Sequence, residues 1–132
     1  MPPLGVINHF FGKVFDLIAS ETYGTLICAG DFNMLLKPLL DTTNRLRKNN
    51  ATEKYIYKVL EDLGLNDVWR FVHGSVPGYT FYSARHSVHS RIDNCFMYGG
   101  DLHRVRDCRM GPRDLSDHSG IYLMLHLDSR QR

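Results

Sequence analysis

A short apolar run, Thr25 to Ala29, most constrains the fold of this chain. Its letters, Thr-Leu-Ile-Cys-Ala, lack the polar–apolar alternation of a half-buried strand, so they predict a strand buried on both faces. Gly30 ends the run, and polar residues follow at once. The fold class then depends on the elements that come before and after this strand.

Two amphipathic helices are predicted around it. Apolar residues at helical spacing indicate one helix from about Asn8, a suitable N-cap, to Ser20. A second helix is predicted from about Thr52 to a stop at Gly64. Strands are predicted over residues 79–83, 91–98, 106–111 and 120–127, and the polar residues 84–90 suit a hairpin turn. The order helix, strand, helix, several strands indicates an α/β (α+β) domain.

Length and cysteine content narrow the class further. The 132 residues suit a single domain, and no apolar run approaches the roughly 18 residues that span a bilayer. The N-terminus lacks the basic region of a signal peptide. Cys28, Cys95 and Cys108 are far apart and form no CxxC pair, so we expect reduced thiols, no disulfides, no zinc site and an intracellular protein.

The charge distribution says more than the net charge, which is only +2. Such a small excess gives no argument for a nucleic-acid partner. The basic residues nevertheless occur in groups, and a solvated surface is the simplest interpretation of each group. The groups are Arg45, Arg47 and Lys48; Arg104, Arg106, Arg109 and Arg113; and Arg130 with Arg132.

Three polar clusters lie at or just beyond the ends of predicted strands. They are Gly30-Asp31-Phe32-Asn33, Ser90-Arg91-Ile92-Asp93 and Ser116-Asp117-His118. Each alone is a weak signal, since an Asp after a Gly is usually a turn residue. Together, three carboxylates, an amide and an imidazole suit metal-assisted phosphodiester cleavage. Carboxylates hold hard cations and activate water, and an imidazole stabilises a phosphate.

In order and spacing, these clusters resemble the three C-terminal motifs of the endonuclease/exonuclease/phosphatase superfamily, which includes apurinic endonucleases and DNase I-like enzymes. The segments between them look most like the endonuclease domain of LINE-type retrotransposons. Those segments are Asp41-Thr42-Thr43, Leu63-Gly64-Leu65-Asn66-Asp67-Val68-Trp69 and Tyr79-Thr80-Phe81-Tyr82-Ser83. The resemblance implies part of a four-layer α-β-β-α sandwich and a Mg²⁺- or Mn²⁺-dependent phosphodiesterase with DNA as its partner.

The resemblance also implies a role for each matching residue. Asp31 would activate the water, and Asn33 would orient the water or contact the phosphate. Asp93 would pair with His118, which would bind and stabilise the phosphate. Asp117 would help to hold the metal.

Four further residues are expected to contact the nucleic acid, and of these Thr80 matches a position that lies near the DNA in the retrotransposon enzymes. Thr80 lies before a hairpin whose loop, residues 83–90, probes a DNA groove in those enzymes. Arg85 and His86 in that loop would contact phosphates or the minor groove. Ser116, the first residue of the third cluster, would also contact the nucleic acid. A solvated charge is the competing interpretation of Arg85.

The sequence departs from the family in one large respect. The family domain is roughly twice as long, and Pro2-Pro3 looks like a Pro-rich segment near its middle. We therefore expect residues 1–132 to form a single truncated domain that lacks the N-terminal strands, their Asn and the Glu that is the main metal ligand. Mg²⁺ binding would then be weak, and activity would be impaired. A smaller departure is Asn94, where the family usually has an aromatic residue.

Three functions stay open at this stage. The chain could be a nicking endonuclease, or a non-catalytic remnant that binds nucleic acid weakly. A small phosphoester such as an inositol phosphate is a third option, and the retrotransposon-like segments and the Arg85 loop argue against it. Oligomeric state and the choice between nucleus and cytoplasm also stay open.

Overall fold

A computed structural model describes residues 12–18, 20, 24–112 and 116–126 of the chain. Its elements confirm a mixed α/β class. In chain order they are helix α1 (residues 12–18), strand β1 (Cys28–Asp31), helices α2 (Pro38–Asp41) and α3 (Ala51–Leu63), strand β2 (Leu65–Asp67), helix α4 (Val68–His73), strands β3 (Phe81–Ser83), β4 (Val88–Ser90) and β5 (Asp93–Tyr98), a 3₁₀ helix (Gly99–Arg104), and strands β6 (Val105–Met110) and β7 (Ile121–Leu125). Asn8, the predicted cap of the first helix, lies outside the described residues.

Strand β5 is the centre of the fold. It pairs antiparallel with β1 on one side and with β2 on the other, whereas β3–β4 and β6–β7 form separate two-stranded sheets. Its four middle residues are all buried. The strand buried on both faces is therefore β5, and the prediction that Thr25–Ala29 is that strand was wrong. Among the described residues β1 has a partner on one side only, and Ile27 just before it is 44% exposed.

Alternate residues of β5 enter two different cores. Phe96 packs on one face with Ile56 and Leu60 of α3 and with Phe15 of α1. Cys95 and Met97 point to the other face. There they pack with Val68 and Trp69 of α4, Cys108 of β6, and the half-buried Ile121, Leu123 and Leu125 of β7. The described chain thus stacks helix, sheet and second sheet, and β5 contributes to both interfaces.

Helix α3 confirms the second predicted helix and shows why it begins and ends there. Asn50 caps it. The Asn50 side chain accepts a hydrogen bond from the Glu53 amide at 2.8 Å, and the Glu53 carboxylate accepts one from the Asn50 amide at 3.0 Å. Gly64 ends it with φ of 73°, a left-handed conformation that glycine adopts without strain. Glu53 is buried and is neutralised by Arg47, 2.6 Å away.

The predicted hairpin closes at a different strand. Strand β3 pairs with β4, with Phe81 opposite Ser90, and the chain then leaves this sheet through residues 91–92 before β5 begins. The long polar loop 38–50 also carries structure, since Pro38–Asp41 form the short helix α2. Among the described residues no helix has the length and hydropathy to cross a bilayer, and Cys28, Cys95 and Cys108 are free thiols.

A buried ionic network fixes the point where β4 gives way to β5. Arg91, 1% exposed, binds Asp41 of α2 through Nε at 3.0 Å and Asp67 of β2 through Nη1 at 3.0 Å. Arg70 adds a second ion pair to Asp41 at 2.7 Å, and the Asn94 amide oxygen accepts from Arg91 Nη1 at 3.1 Å. Buried charges need this degree of pairing, because each one alone would lose its hydration uncompensated.

We predict that Asp41→Ala destabilises the chain by about 3–5 kcal/mol, because it leaves Arg91 buried with one carboxylate fewer. Urea unfolding, followed by the fluorescence of Trp69, measures this. The control is Asp101→Ala, which removes the part-exposed pair between Asp101 and Arg104 and should cost about 0–1 kcal/mol. Equal losses in the two variants would show that the Asp41 network does not hold the fold.

Candidate active site

Two carboxylates face each other across the β1–β5 pair. Asp31 ends β1 and Asp93 begins β5, and their Cα atoms are direct partners in the register. Directly opposite residues of an antiparallel pair lie close enough for their side chains to interact. Asp31 is on the open side, with its side chain 48% exposed, whereas that of Asp93 is 17% exposed. The edge position of β1 therefore presents one carboxylate to solvent and keeps the other half-buried.

His118 lies between these two carboxylates. Its Nδ1 is 2.8 Å from Asp93 Oδ2, and its Nε2 is 4.0 Å from Asp31 Oδ2. The loop that carries it is fixed by a β-bridge between His118 and Phe81 of β3, whose rings are 4.8 Å apart. Three segments that are distant in sequence thus meet at one imidazole. They are the end of β1, the start of β5 and the loop before β7.

The hydrogen bond to Asp93 sets the chemical state of His118. An ionised carboxylate only accepts, so Nδ1 must carry a proton and Nε2 faces Asp31. This hydrogen bond raises the pKa of His118 above its ordinary value. Partial burial opposes the rise, and the charges of Asp93, Asp31 and Asp117 add to it. The imidazole is therefore biased towards its cationic form.

The remaining predicted catalytic and metal residues surround this group. Asn33 has φ of 51°, and its backbone N–H donates to Asp31 Oδ1 at 2.8 Å, which fixes that carboxylate. Asp117 is exposed; its backbone carbonyl accepts from the Tyr82 amide at 3.2 Å. Ser116 Oγ accepts from the His118 amide at 2.8 Å and so orders the His118 loop.

Thr80 does not lie where a DNA contact would require it. It is fully buried, with 0% exposure, so its side chain has no surface to present to DNA. Its hydroxyl oxygen instead accepts from the amides of Ile92 and Asp93, both at 3.1 Å. Its carbonyl accepts from the Ser119 amide at 2.6 Å, next to His118. Direct contact with DNA is therefore corrected to a positioning contact that joins the Asp93 and His118 segments.

Arg85 and His86 lie apart from this group, at the exposed tip of the β3–β4 hairpin. Ser87 beside them has φ of 52° and closes the turn. The hairpin base, where Phe81 contacts His118, adjoins the carboxylates. The predicted DNA contacts thus extend outward from the site along one hairpin.

Three solved structures that superpose on this chain are nucleases by their own descriptions. An AP endonuclease from Archaeoglobus fulgidus superposes with a TM-score of 0.80 at 20% identity, covering 94% of this chain and 55% of that one. A 3'-5' exonuclease from Neisseria meningitidis superposes with a TM-score of 0.74 at 21% identity, covering 92% of this chain and 52% of that one. The endonuclease domain of TRAS1, a telomere-specific non-LTR retrotransposon, superposes with a TM-score of 0.70 at 22% identity, covering 93% of this chain and 53% of that one.

The chain has a DNase I-like fold. The resemblance stated from the sequence motifs is confirmed at the level of the fold. No protein-family model matches the sequence, so this likeness comes from three-dimensional structure. The chain spans about half the length of these neighbours.

The DNase I-like fold brings together a donor set that suits a divalent cation. Ligand atoms of Asp31, Asp93 and His118 all lie within 4.8 Å of one another. Asp31 has one oxygen held by the Asn33 amide and the other open, and Mg²⁺ is commonly held by one or two carboxylates with several waters retained. The predicted metal residue Asp117 is not in this group, so Asp31 and Asp93 are the better candidates. Imidazole nitrogen suits Mg²⁺ poorly, which leaves His118 free for the substrate.

Several residues that build this candidate site have roles in it that the sequence did not indicate. Phe81 reads as an ordinary strand residue, yet its ring lies against His118. Arg91 reads as one more charge, yet it is buried and anchors the residues before Asp93. Thr80 was expected to contact DNA, and nothing in the sequence indicated its positioning contact, because its partners are backbone amides 12 and 13 residues away.

We predict that Asp93→Asn lowers the pKa of His118, since the carboxylate that raises it is removed. NMR titration in EDTA measures this, with the signal assigned among the seven histidines by a His118→Gln variant. A raised folded-state pKa stabilises the fold fully below the ordinary imidazole value of about 6.5. The stability gap between wild type and variant should therefore shrink as the pH rises through the folded pKa. An unchanged His118 titration in Asp93→Asn would refute the pairing.

We predict that Thr80→Val costs about 1–3 kcal/mol of unfolding free energy, because two buried amides lose their acceptor. The same variant should shift the His118 pKa, since Asp93 moves with its backbone. The matched control is Thr25→Val at an exposed position, which should change neither quantity. Loss of stability with an unmoved His118 pKa would mean that Thr80 supports the fold but does not position the site.

Proposed function

We propose that Asp31, Asn33, Asp93 and His118 form the water-activating and phosphate-binding part of a divalent-metal-dependent phosphodiesterase that acts on DNA. One observation carries the proposal: His118 is held between two carboxylates at strand ends, 2.8 Å from Asp93 and 4.0 Å from Asp31. The nuclease-like fold supports the same reaction class.

His118 supplies the positive charge in this proposal. Asp93 holds Nδ1–H, so Nε2 is the nitrogen that turns towards the open side of the site. A cationic imidazole there donates a hydrogen bond to a non-bridging phosphate oxygen and stabilises the extra negative charge of the pentavalent transition state. The hydrogen bond to Asp93 raises the pKa of His118 and so favours this protonated donor.

Asp31 is the proposed base. Its exposed oxygen accepts a proton from the attacking water, and the Asn33 N–H on its other oxygen keeps the carboxylate oriented. The Asn33 side chain, adjacent and exposed, orients the water or the phosphate without adding charge. A divalent cation held by Asp31 and Asp93, and by Asp117 through a water, would polarise the phosphate as a Lewis acid.

The hairpin supports DNA over a small phosphoester as the substrate. A small ester needs only the groups at the base, whereas Arg85 and His86 lie exposed at the tip, where an extended polyanion reaches them. Among the structural neighbours, a 3' phosphatase from Neisseria was solved bound to a product DNA hairpin.

A second candidate function is nucleic-acid binding without catalysis. The observation that favours it is the half-exposed carboxylate of Asp31. A cation there shares only two carboxylates among the described residues, which is a small set for tight binding. A chain that holds metal weakly would keep its DNA contacts and lose its rate.

Nicking of supercoiled plasmid in Mg²⁺ or Mn²⁺ tests the proposal. We expect slow nicking that EDTA abolishes. Asp31→Asn and His118→Gln should each lower the rate by about 10²-fold or more, the usual loss of a general base or of a charge stabiliser. Asp101→Asn, a similar charge change away from the site, should nick like the wild type.

The binding-only alternative gives a different pattern. It requires that wild type retard labelled DNA in EDTA but leave plasmid intact at millimolar metal. Nicking that persists at full rate in both Asp31→Asn and His118→Gln would instead reveal a contaminating nuclease and would refute the assigned residues.

A further inference from the structure

A second exposed loop is fastened to the β3–β4 hairpin. Thr42 and Ser90 form a β-bridge, and their hydroxyls lie 3.1 Å apart. The Thr43 amide donates to the His89 carbonyl at 2.9 Å, and the His89 amide donates to Thr43 Oγ1 at 3.0 Å. The segment after α2 is therefore paired to β4 on the side that β3 leaves open.

The direction of this pairing places the following turn near the hairpin tip. The bridge is antiparallel, and β4 runs away from the tip, so the chain beyond Thr43 runs towards it. There Asn44 closes a turn: its side-chain oxygen accepts from the Leu46 amide at 3.1 Å and its carbonyl from the Arg47 amide at 3.2 Å. We call residues 44–48 the Asn44 turn.

The Asn44 turn carries two cations with no internal counter-charge. Arg47 is used by the fold, since it pairs with buried Glu53 at 2.6 Å. Arg45 and Lys48 are exposed and form no ion pair within the described part of the chain. Arg45 gives one bond, from Nη1 to the Leu39 carbonyl at 3.1 Å, which orients the guanidinium and leaves its other donors available.

Leu46 stands between these cations and is 90% exposed. An apolar residue so exposed contributes nothing to either core, and the hydrogen bonds of Asn44 hold it in place at the apex. Cations beside an apolar apex suit a DNA groove, where phosphates line the rim and an apolar side chain contacts the floor.

We propose that the Asn44 turn is a second DNA-backbone contact, which acts beside the hairpin tip with Arg45 and Lys48 on phosphates. The inference rests on the proposed function for its substrate class. The hairpin supplies the spacing: about three strand residues, or about 10 Å, separate its base at the site from its tip. That distance corresponds to roughly three nucleotides along a strand. The Asn44 turn thus binds DNA within a few nucleotides to one side of the cleaved bond.

Binding to a short fluorescein-labelled DNA duplex, measured by fluorescence anisotropy in EDTA, tests this surface without cleavage. The variant is Arg45→Ala/Lys48→Ala. Its affinity should fall on the order of tenfold, and the slope of log affinity against log salt should fall by about 2. The matched control, Lys54→Ala/Lys58→Ala, removes the same charge from exposed positions of α3 and should change affinity less than half as much on a logarithmic scale. Urea unfolding of each variant verifies the fold.

Equal losses in the two double variants would overturn the proposal, because net charge alone would then explain the binding. An unchanged salt slope in Arg45→Ala/Lys48→Ala would overturn it as well. These results are separate from those on catalysis. If the chain never nicks plasmid but Arg45→Ala/Lys48→Ala lowers its affinity for DNA, the proposed DNA contact is supported and the proposed catalytic function is refuted. If the wild type nicks plasmid and the variant still binds DNA with unchanged affinity, the catalytic function is supported and the proposed contact at the Asn44 turn is refuted.

Discussion

The buried guanidinium of Arg91 is the interaction on which the rest of the structure depends. It joins Asp41 of α2 to Asp67 at the end of β2, two segments that share no strand pairing. Its backbone amide also donates to the Asp41 carbonyl at 2.7 Å. Because Arg91 follows β4 and precedes β5, this one residue decides where the hairpin sheet stops and the central sheet starts. A charged residue is suited to that role, since burial makes every alternative without both carboxylates costly.

Thr80 connects the segment that Arg91 fixes to the candidate site. Arg91 fixes the chain just before Ile92 and Asp93, and the Thr80 hydroxyl accepts from the amides of both. The Thr80 carbonyl holds Ser119, so the loop that carries His118 is tied to the same node. The pairing of His118 with Asp93 is therefore set by backbone hydrogen bonds inside the protein. A side-chain pair at a solvent-facing rim needs such support, because the pair itself is too exposed to be rigid on its own.

The sequence was informative where local chemistry decides the outcome. Helix α3 was predicted from about Thr52 to a stop at Gly64, and the structure places it at Ala51–Leu63, with the Asn50 and Glu53 capping box fixing its start. Three polar clusters were identified at strand ends, and the fold brings one carboxylate from each of two clusters to His118. What failed depends on distant partners. The apolar run before Gly30 gave no sign that β1 would pair on one side only among the described residues, and Thr80 gave none that it is buried. Neither property is encoded in neighbouring residues, since both depend on which strand or loop packs alongside.

Within the part of the chain that the structure describes, β1 is paired on one side only, and this links the wrong prediction about β1 to the chemistry of Asp31. A strand buried on both faces and paired on both sides would enclose Asp31, and a lone buried carboxylate would become protonated or need a fixed cation. At the edge, Asp31 stays accessible to water, to a metal and to a phosphate, while Asp93, opposite it in register, is held further in against His118. The two carboxylates therefore differ in environment although they are neighbours. Such a difference separates a proposed base that exchanges protons with solvent from a carboxylate that is hydrogen-bonded to an imidazole. The strand order β1-β5-β2 thus produces the asymmetry that the proposed reaction requires.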